Sequence, residues 1–158
     1  MRFLEMLMKI DSVIRVKGKV QIYNTKGELL TEADNLEVDT GLNIIVNLLN
    51  NNPAFTGLNY FAFGTGATAP TSGDTSLGAE TFRDVFTNSD TGTNTFIATL
   101  FVLASNCSIH IKEAGLFGNG ATAVANSGTL FSRALIDYDN SALQNDLVFS
   151  WTATFTAV

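Results

Sequence analysis

Apolar residues in this chain alternate with polar ones far more often than they recur at helical spacing. Val16, Gly18, Val20 and Ile22 alternate with Lys17, Lys19 and Gln21, the period of a half-buried strand. Asn24-Thr25-Lys26-Gly27 follows as a turn, and residues 28–36 predict the returning strand of a basic N-terminal hairpin over 13–36. Residues 39–50 break the rhythm. Leu42, Ile45, Val46 and Leu49 fall at i, i+3, i+4 and i+7, one stripe of an amphipathic helix. Asp39 or Thr40 is placed to cap this helix, and Asn50-Asn51-Asn52-Pro53 to end it.

Alternation returns over 59–158. Residues 59–63 predict a strand, followed by a loop of small residues over 64–76. Residues 81–88 and 95–103 predict a pair joined across 89–92, and 108–117 and 129–138 a pair joined across the loose 118–128. In the last strand Leu147, Phe149, Trp151, Ala153 and Phe155 share one face, while Val148, Ser150, Thr152, Thr154 and Thr156 share the other. About eight strands with turn-rich links predict a mainly β fold, an antiparallel, jelly-roll-like β-sandwich carrying one helix. There is no internal repeat and no domain-splitting linker, so 13–158 reads as one domain.

Residues 1–12 read as an arm or a short amphipathic helix. Glu5 and Lys9 interrupt the apolar stretch and no small-residue cleavage site follows, which argues against a signal peptide. No run approaches the roughly eighteen apolar residues of a membrane span.

Composition adds a constraint on the surface. Only 15% of the 158 residues are charged, against roughly 25% in ordinary soluble domains. Nineteen threonines and fifteen asparagines take their place. Such a surface suits a protein packed against neighbours, and equally an extracellular β-protein. The net charge of −6 hides an asymmetry: residues 1–26 carry +4 and residues 27–158 carry −10. The acidic body repels nucleic acid, whose binding needs Lys and Arg to displace counterions. Arg15, Lys17 and Lys19 either dock on an acidic neighbour or form the wet face of the first strand. Cys107 is alone, which excludes an internal disulfide and a two-thiol metal site and suits folding in a reducing cytosol.

Reactive constellations are weak. Gly64-Thr65-Gly66 lacks P-loop spacing, and no lysine lies between Lys26 and Lys112 to meet a phosphate. His110, the one histidine, sits in a strand with Ser108 and Lys112 on its face, and no Gly-x-Ser-x-Gly elbow exists for it to serve. Asp137-Tyr138-Asp139-Asn140 places oxygens at alternate positions, as calcium loops do, but lacks the turn glycine and the distal glutamate. Asx-turn chemistry accounts for the same residues. Asp84 and Asp90 are isolated, whereas glycosidases need two carboxylates about 5–9 Å apart. The chain reads as a non-enzyme without cofactor or metal.

The scarcity of cations is more informative. Beyond Lys26 only Arg83, Lys112 and Arg133 remain. The planar guanidinium fork suits bidentate carboxylate pairing, so Glu80 and Glu113 are the expected partners of Arg83 and Arg133, within the fold or across a subunit contact. Leu116 and Phe117 read as strand-end anchors, one facing in, and Gly115 as a place where another group approaches closely.

Glu80, Arg83, Lys112, Glu113, Gly115, Leu116 and Phe117 belong to two segments, and Arg133 lies on the strand that follows. One is Phe63-Gly64-Thr65-Gly66, then Pro70, Asp74-Thr75-Ser76-Leu77, Glu80 and Arg83; the other is Ile111-Lys112-Glu113-Ala114-Gly115-Leu116-Phe117. Together they resemble the N-terminal, particle-attaching region of tail-fibre and collar proteins of tailed bacteriophages, and related small, decoration-type phage structural proteins. The resemblance spans most of 36–155. It implies a non-enzymatic virion structural protein, made in the host cytoplasm and assembled as a symmetric trimer. Its partners would be copies of itself and other virion proteins, with no nucleic acid and no membrane. The basic hairpin departs from the long-fibre families. The final strand at Val158 leaves no shaft or receptor-binding tip, so the expectation is a tail-associated adaptor, collar or fibre-base component. A capsid decoration protein is the first alternative. A carbohydrate-binding host-attachment module is the second, with Tyr23, Tyr60, Tyr138 and Trp151 as candidate contacts to a host glycan, although Trp151 sits on the most regular apolar face and reads as core.

Overall fold

The computed structural model of the protein describes residues 13–158; the expected arm over 1–12 lies outside them. Nine strands and two helices follow in the order β1 (Ile14–Asn24), β2 (Leu29–Glu37), α1 (Asp39–Leu49), β3 (Leu58–Gly64), β4 (Glu80–Val85), β5 (Asn88–Gly92), β6 (Thr95–Val102), α2 (Ala104–Cys107), β7 (His110–Gly118), β8 (Thr129–Asp139) and β9 (Leu147–Ala157). All pairings are antiparallel, and the strands form one curled sheet in the order β4-β3-β7-β8-β2-β1-β9-β6-β5. The predicted sandwich-like, mainly β fold is therefore the observed one.

The sheet becomes a sandwich because strands change partners at two corners, a known way of turning a sheet back on itself. Within β2, residues from Leu29 to Asn35 pair with β1, while Leu36 and Glu37 pair with Arg133 and Ser132 of β8. At the other corner Phe86 and Thr87 join β4 to β5. The Phe86 N–H donates to the Asn59 carbonyl on β3, and the next residue's N–H donates to the Thr99 carbonyl on β6. The hairpins β1/β2 and β7/β8 match expectation. The pairing of 81–88 with 95–103 does not. The strand β6 pairs with β5 and β9, and β4 instead returns along β3 across the 65–79 loop.

The core lies between the two halves. Phe61 and Phe63 of β3 meet Phe149 and Trp151 of β9, with Phe63 stacked on Phe149 at 4.8 Å between centroids. Val20, Ile22, Leu100, Ile111, Leu116, Phe131 and Ile136 complete it. Each such side chain contributes about 1.5–3 kcal/mol on full burial. A smaller cluster, including Val38, Ala62, Leu77, Phe117 and Leu130, packs separately.

The helix forms over the predicted residues but with a different face inward. Gly41 and Ile44 are buried, with Ile45 half-buried beside them. Leu42, Val46 and Leu49 of the expected stripe are 42%, 62% and 78% exposed. The reason is steric. A Cβ on Gly41 would sit 2.0 Å from the Phe131 carbonyl oxygen, so only the glycine lets α1 lie this close to β8, and that contact fixes the helix's rotation. Neither expected cap forms: Val38 is the N-cap residue without a side-chain bond, and Thr40 Oγ1 donates to the Leu130 carbonyl at 2.8 Å.

Candidate functional site

The two motif segments converge on the outer surface of β3, β7 and β8. Alternation along β7 sends Ala114 and Leu116 into the main core, so Glu113 and Phe117 point to the opposite face. That face is covered by two loops, 65–79 and 119–128, and each loop is fastened by one arginine–glutamate pair.

Glu113, with no exposed surface, binds the first loop. Its Oε1 accepts from the Gly66 N–H at 3.0 Å and the Ala79 N–H at 2.6 Å; its Oε2 accepts from the Gly78 N–H at 2.9 Å. Arg133, opposite Gly115 on β8, adds Nε and Nη2 donors to Oε2 at 3.2 and 2.9 Å. Its remaining donors reach the Thr68 carbonyl at 2.9 Å and Asp74 Oδ2 at 2.7 Å. One carboxylate thus satisfies both ends of the loop, and one guanidinium spans its middle. Gly66 is required: a Cβ there would lie 2.3 Å from Glu113 Oε1. Asp74 also accepts from the Thr71 N–H and hydroxyl. Burial raises its pKa, but the bonds from Arg133 and Thr71 outweigh burial and hold it below the usual aspartate value.

Arg83 and Glu80 fasten the second loop. The guanidinium binds Glu80 in a fork, Nε to Oε1 at 2.5 Å and Nη2 to Oε2 at 2.8 Å. Its Nη1 donates to the carbonyls of Thr122 and Ser127 and to Ser127 Oγ, all between 3.0 and 3.1 Å. Beneath it lies the Phe117 ring, 4.3 Å from the guanidinium carbon to the centroid, a cation–π contact. The loops are also joined to each other. Asn126 donates its N–H to Glu80 Oε2 and accepts the Leu77 N–H on Oδ1, both at 2.9 Å. Leu77 then packs over Gly115.

The four paired residues therefore come together as two clusters within one chain. Leu116 is the one of the two anchors that faces the main core, and Phe117 is buried as well because the loops give the sheet's outer face a core of its own. Sequence reasoning included Asp74 in the first motif segment without assigning it a partner, and it missed Asn126 and Ser127. Asn126 adopts φ +54°, and a left-handed asparagine in an Ala/Gly/Asn-rich stretch signals a turn, not a contact.

The basic residues of β1 stand apart from these clusters. Arg15 and Lys17 are exposed on the outer sheet face, and Lys19 is bound to Glu32 at 2.7 Å, which raises the lysine's pKa. Lys17, Lys19, Gln21, Asp34, Thr152 and Thr154 line a shallow depression of about 380 Å³ there.

His110 is partly exposed, with Nε2 2.5 Å from Asp137 Oδ1 and Nδ1 4.0 Å from Asp139 Oδ2. Asp139 caps Ser141 through its N–H and hydroxyl, the Asx arrangement, and these bonds lower its pKa. Asn140 is fully buried and donates to the carbonyls of Cys107 and Asn145, so it cannot join its neighbours around a cation. Trp151 is core and offers no face for a sugar, and Arg83 sits 5.7 Å over the half-buried Tyr60 ring.

Chemically the two clusters are closed. Their charges bind one another and the loop backbones, and Glu113 and Arg133 lie beneath the loop they hold. No family model, curated protein or solved structure matches this chain.

Proposed function

We propose that the protein is a non-enzymatic structural part of a tailed-bacteriophage virion, a tail-associated adaptor, collar or fibre-base component that works as a symmetric oligomer. The supporting observation is the use made of the motif residues. Glu80, Arg83 and Glu113, which carry the resemblance, are spent, together with Arg133, on fastening two loops to a sheet. Such an arrangement gives a surface of fixed shape, which a fitted part needs, and leaves no reactive group presented to a substrate. The charge-poor exterior and the exposed apolar side of α1 suit a chain held among neighbours.

The test is the position and copy number of the chain in purified particles, measured by quantitative mass spectrometry and antibody-labelled electron microscopy. A few copies at the tail or neck would support the reading. Hundreds of copies over the head would replace it with capsid decoration. Absence from the particle would overturn both.

A further inference from the structure

The helix α1 is apolar around more of its girth than its own core uses. At about 100° per residue, Ile44, Leu48, Ile45, Leu49, Leu42 and Val46 fill an arc of roughly 200°, about twice the stripe with which a surface helix covers its core. One part of that arc faces the sheet, where Ile44 is buried and Ile45 half-buried. The other part, Leu42, Val46 and Leu49, is 42%, 62% and 78% exposed. These three follow one another at intervals of four and three residues, the spacing of the seam between paired helices. Exposed Asn43 and Asn50 border them, and past Leu49 the surface continues through Pro53 and Ala54, also exposed. Residues 40–73 carry no charged side chain.

We propose that Leu42, Val46 and Leu49 form an interface between two copies of the chain, with the two α1 helices parallel about a two-fold axis and Val46 on Val46. This names the contact for the symmetric oligomer read above and rests on that part of the reading. Three observations select a second copy. The first is charge. Residues 27–158 carry −10, so two copies repel wherever their acids face one another, and the uncharged 40–73 tract lets them meet without that repulsion. The second is self-complementarity, which a two-fold contact requires. Leucine and valine pack on their counterparts, and an Asn amide both donates and accepts, so the border also fits its own copy. A different partner would find no charge on the seam to recognise. The third is the order of the residues. A β-branched residue set between leucines at this spacing favours two parallel helices. The seam lies roughly 110° round the helix from the buried face, so the two bodies stand clear of each other. The exposed side chains amount to a patch on the order of 400 Å² on each copy, small for a specific interface, so the pair is reversible.

Sedimentation equilibrium of the full-length chain tests the proposal. The parent should pass from monomers to pairs between about 10 μM and 1 mM. Val46→Glu and Val46→Lys each set like charges against one another across the axis, and each alone should stay monomeric over the same range. Mixed in equal amounts they should pair again, since Glu then faces Lys. Circular dichroism of both should match the parent, because Val46 is exposed in the single chain. A parent that stays monomeric, or that forms trimers, would overturn the pair. Pairing that survives both substitutions would put the contact elsewhere and overturn this seam. Cysteine substitution under mild oxidation gives a second readout. Val46→Cys should become disulfide-linked several-fold faster than Val124→Cys, whose parent side chain is 68% exposed on the 119–128 loop. Equal rates would count against the seam. A chain monomeric in solution yet present in particles would sink the pairing and leave the virion reading standing; pairs of a chain absent from particles would do the reverse.

Discussion

Arg83 sits over the ring of Phe117 at 4.3 Å while its fork closes on Glu80. One guanidinium thus links the edge strand β4, the inner strand β7 and the 119–128 loop. Arg83→Met leaves the Glu80 carboxylate buried without its cation, which costs about 3–5 kcal/mol. Arg83→Lys keeps the charge but not the fork and loses less. Urea unfolding near neutral pH should rank the parent above Arg83→Lys and Arg83→Met last; equal midpoints would remove the fastening role.

Glu113 closes the other loop with five accepted bonds. In Glu113→Gln an amide group replaces one oxygen and confronts backbone donors. The expected loss is again about 3–5 kcal/mol. Exchange of amide hydrogens should quicken over 65–79 before it does in β9. Combined with Arg133→Met, the loss should fall short of the sum by about 0.5–3 kcal/mol, as for residues sharing one network.

Gly41→Ala tests the helix seating. The added methyl meets the Phe131 carbonyl, so either α1 lifts or β8 shifts. A loss of about 1–3 kcal/mol is expected, with amide shift changes concentrated in α1 and β8. An unaltered Tm would contradict the close contact.

Cys107 is buried, and burial pushes its thiol from 9.0 up to about 11. The folded-state value lies above the unfolded one. Its contribution to stability is therefore complete below about pH 9 and is lost as pH rises through about 11. Thiol reagents at mildly alkaline pH should leave the native chain unmodified and label it rapidly in urea. Fast labelling of the native state would refute the burial.

Asp74 shifts in the opposite direction. Its folded-state value lies below the ordinary 3.8, because the bonds from Arg133 and Thr71 overcome the effect of burial. The stabilisation it supplies is present above the unfolded value and disappears as pH falls through the lower folded one. Acid titration of Asp74→Asn should show a shallower loss of stability in that window than the parent.

The elements legible in the sequence were those whose partners are close along the chain. The turn at 24–27 fixed the β1/β2 hairpin, and the strict alternation of β9 marked its buried face. The partner change at Phe86-Thr87 was not legible, because a strand crossing a corner keeps its extended pattern while its hydrogen bonds pass to another neighbour. In α1 the residues at 41, 44 and 45 and those at 42, 45, 46 and 49 both sit at helical spacing. Hydrophobicity favoured the second set, and the space made by Gly41 selected the first. At the site, the rarity of cations singled out Arg83 and Arg133. Asp74 and Asn126 act only after the loops have folded over, so no local pattern revealed their partners.

The ladder between β1 and β9 joins Ile14 to Ala157 and runs for eleven residue pairs through the middle of the sheet. The first and last strands among the described residues are thus each other's neighbours. During synthesis β1 must wait for β9 before this ladder can form. Such long-range pairing slows folding. Pulling at Ile14 and Ala157 would load this ladder from one end, opening its bonds one after another and not all at once.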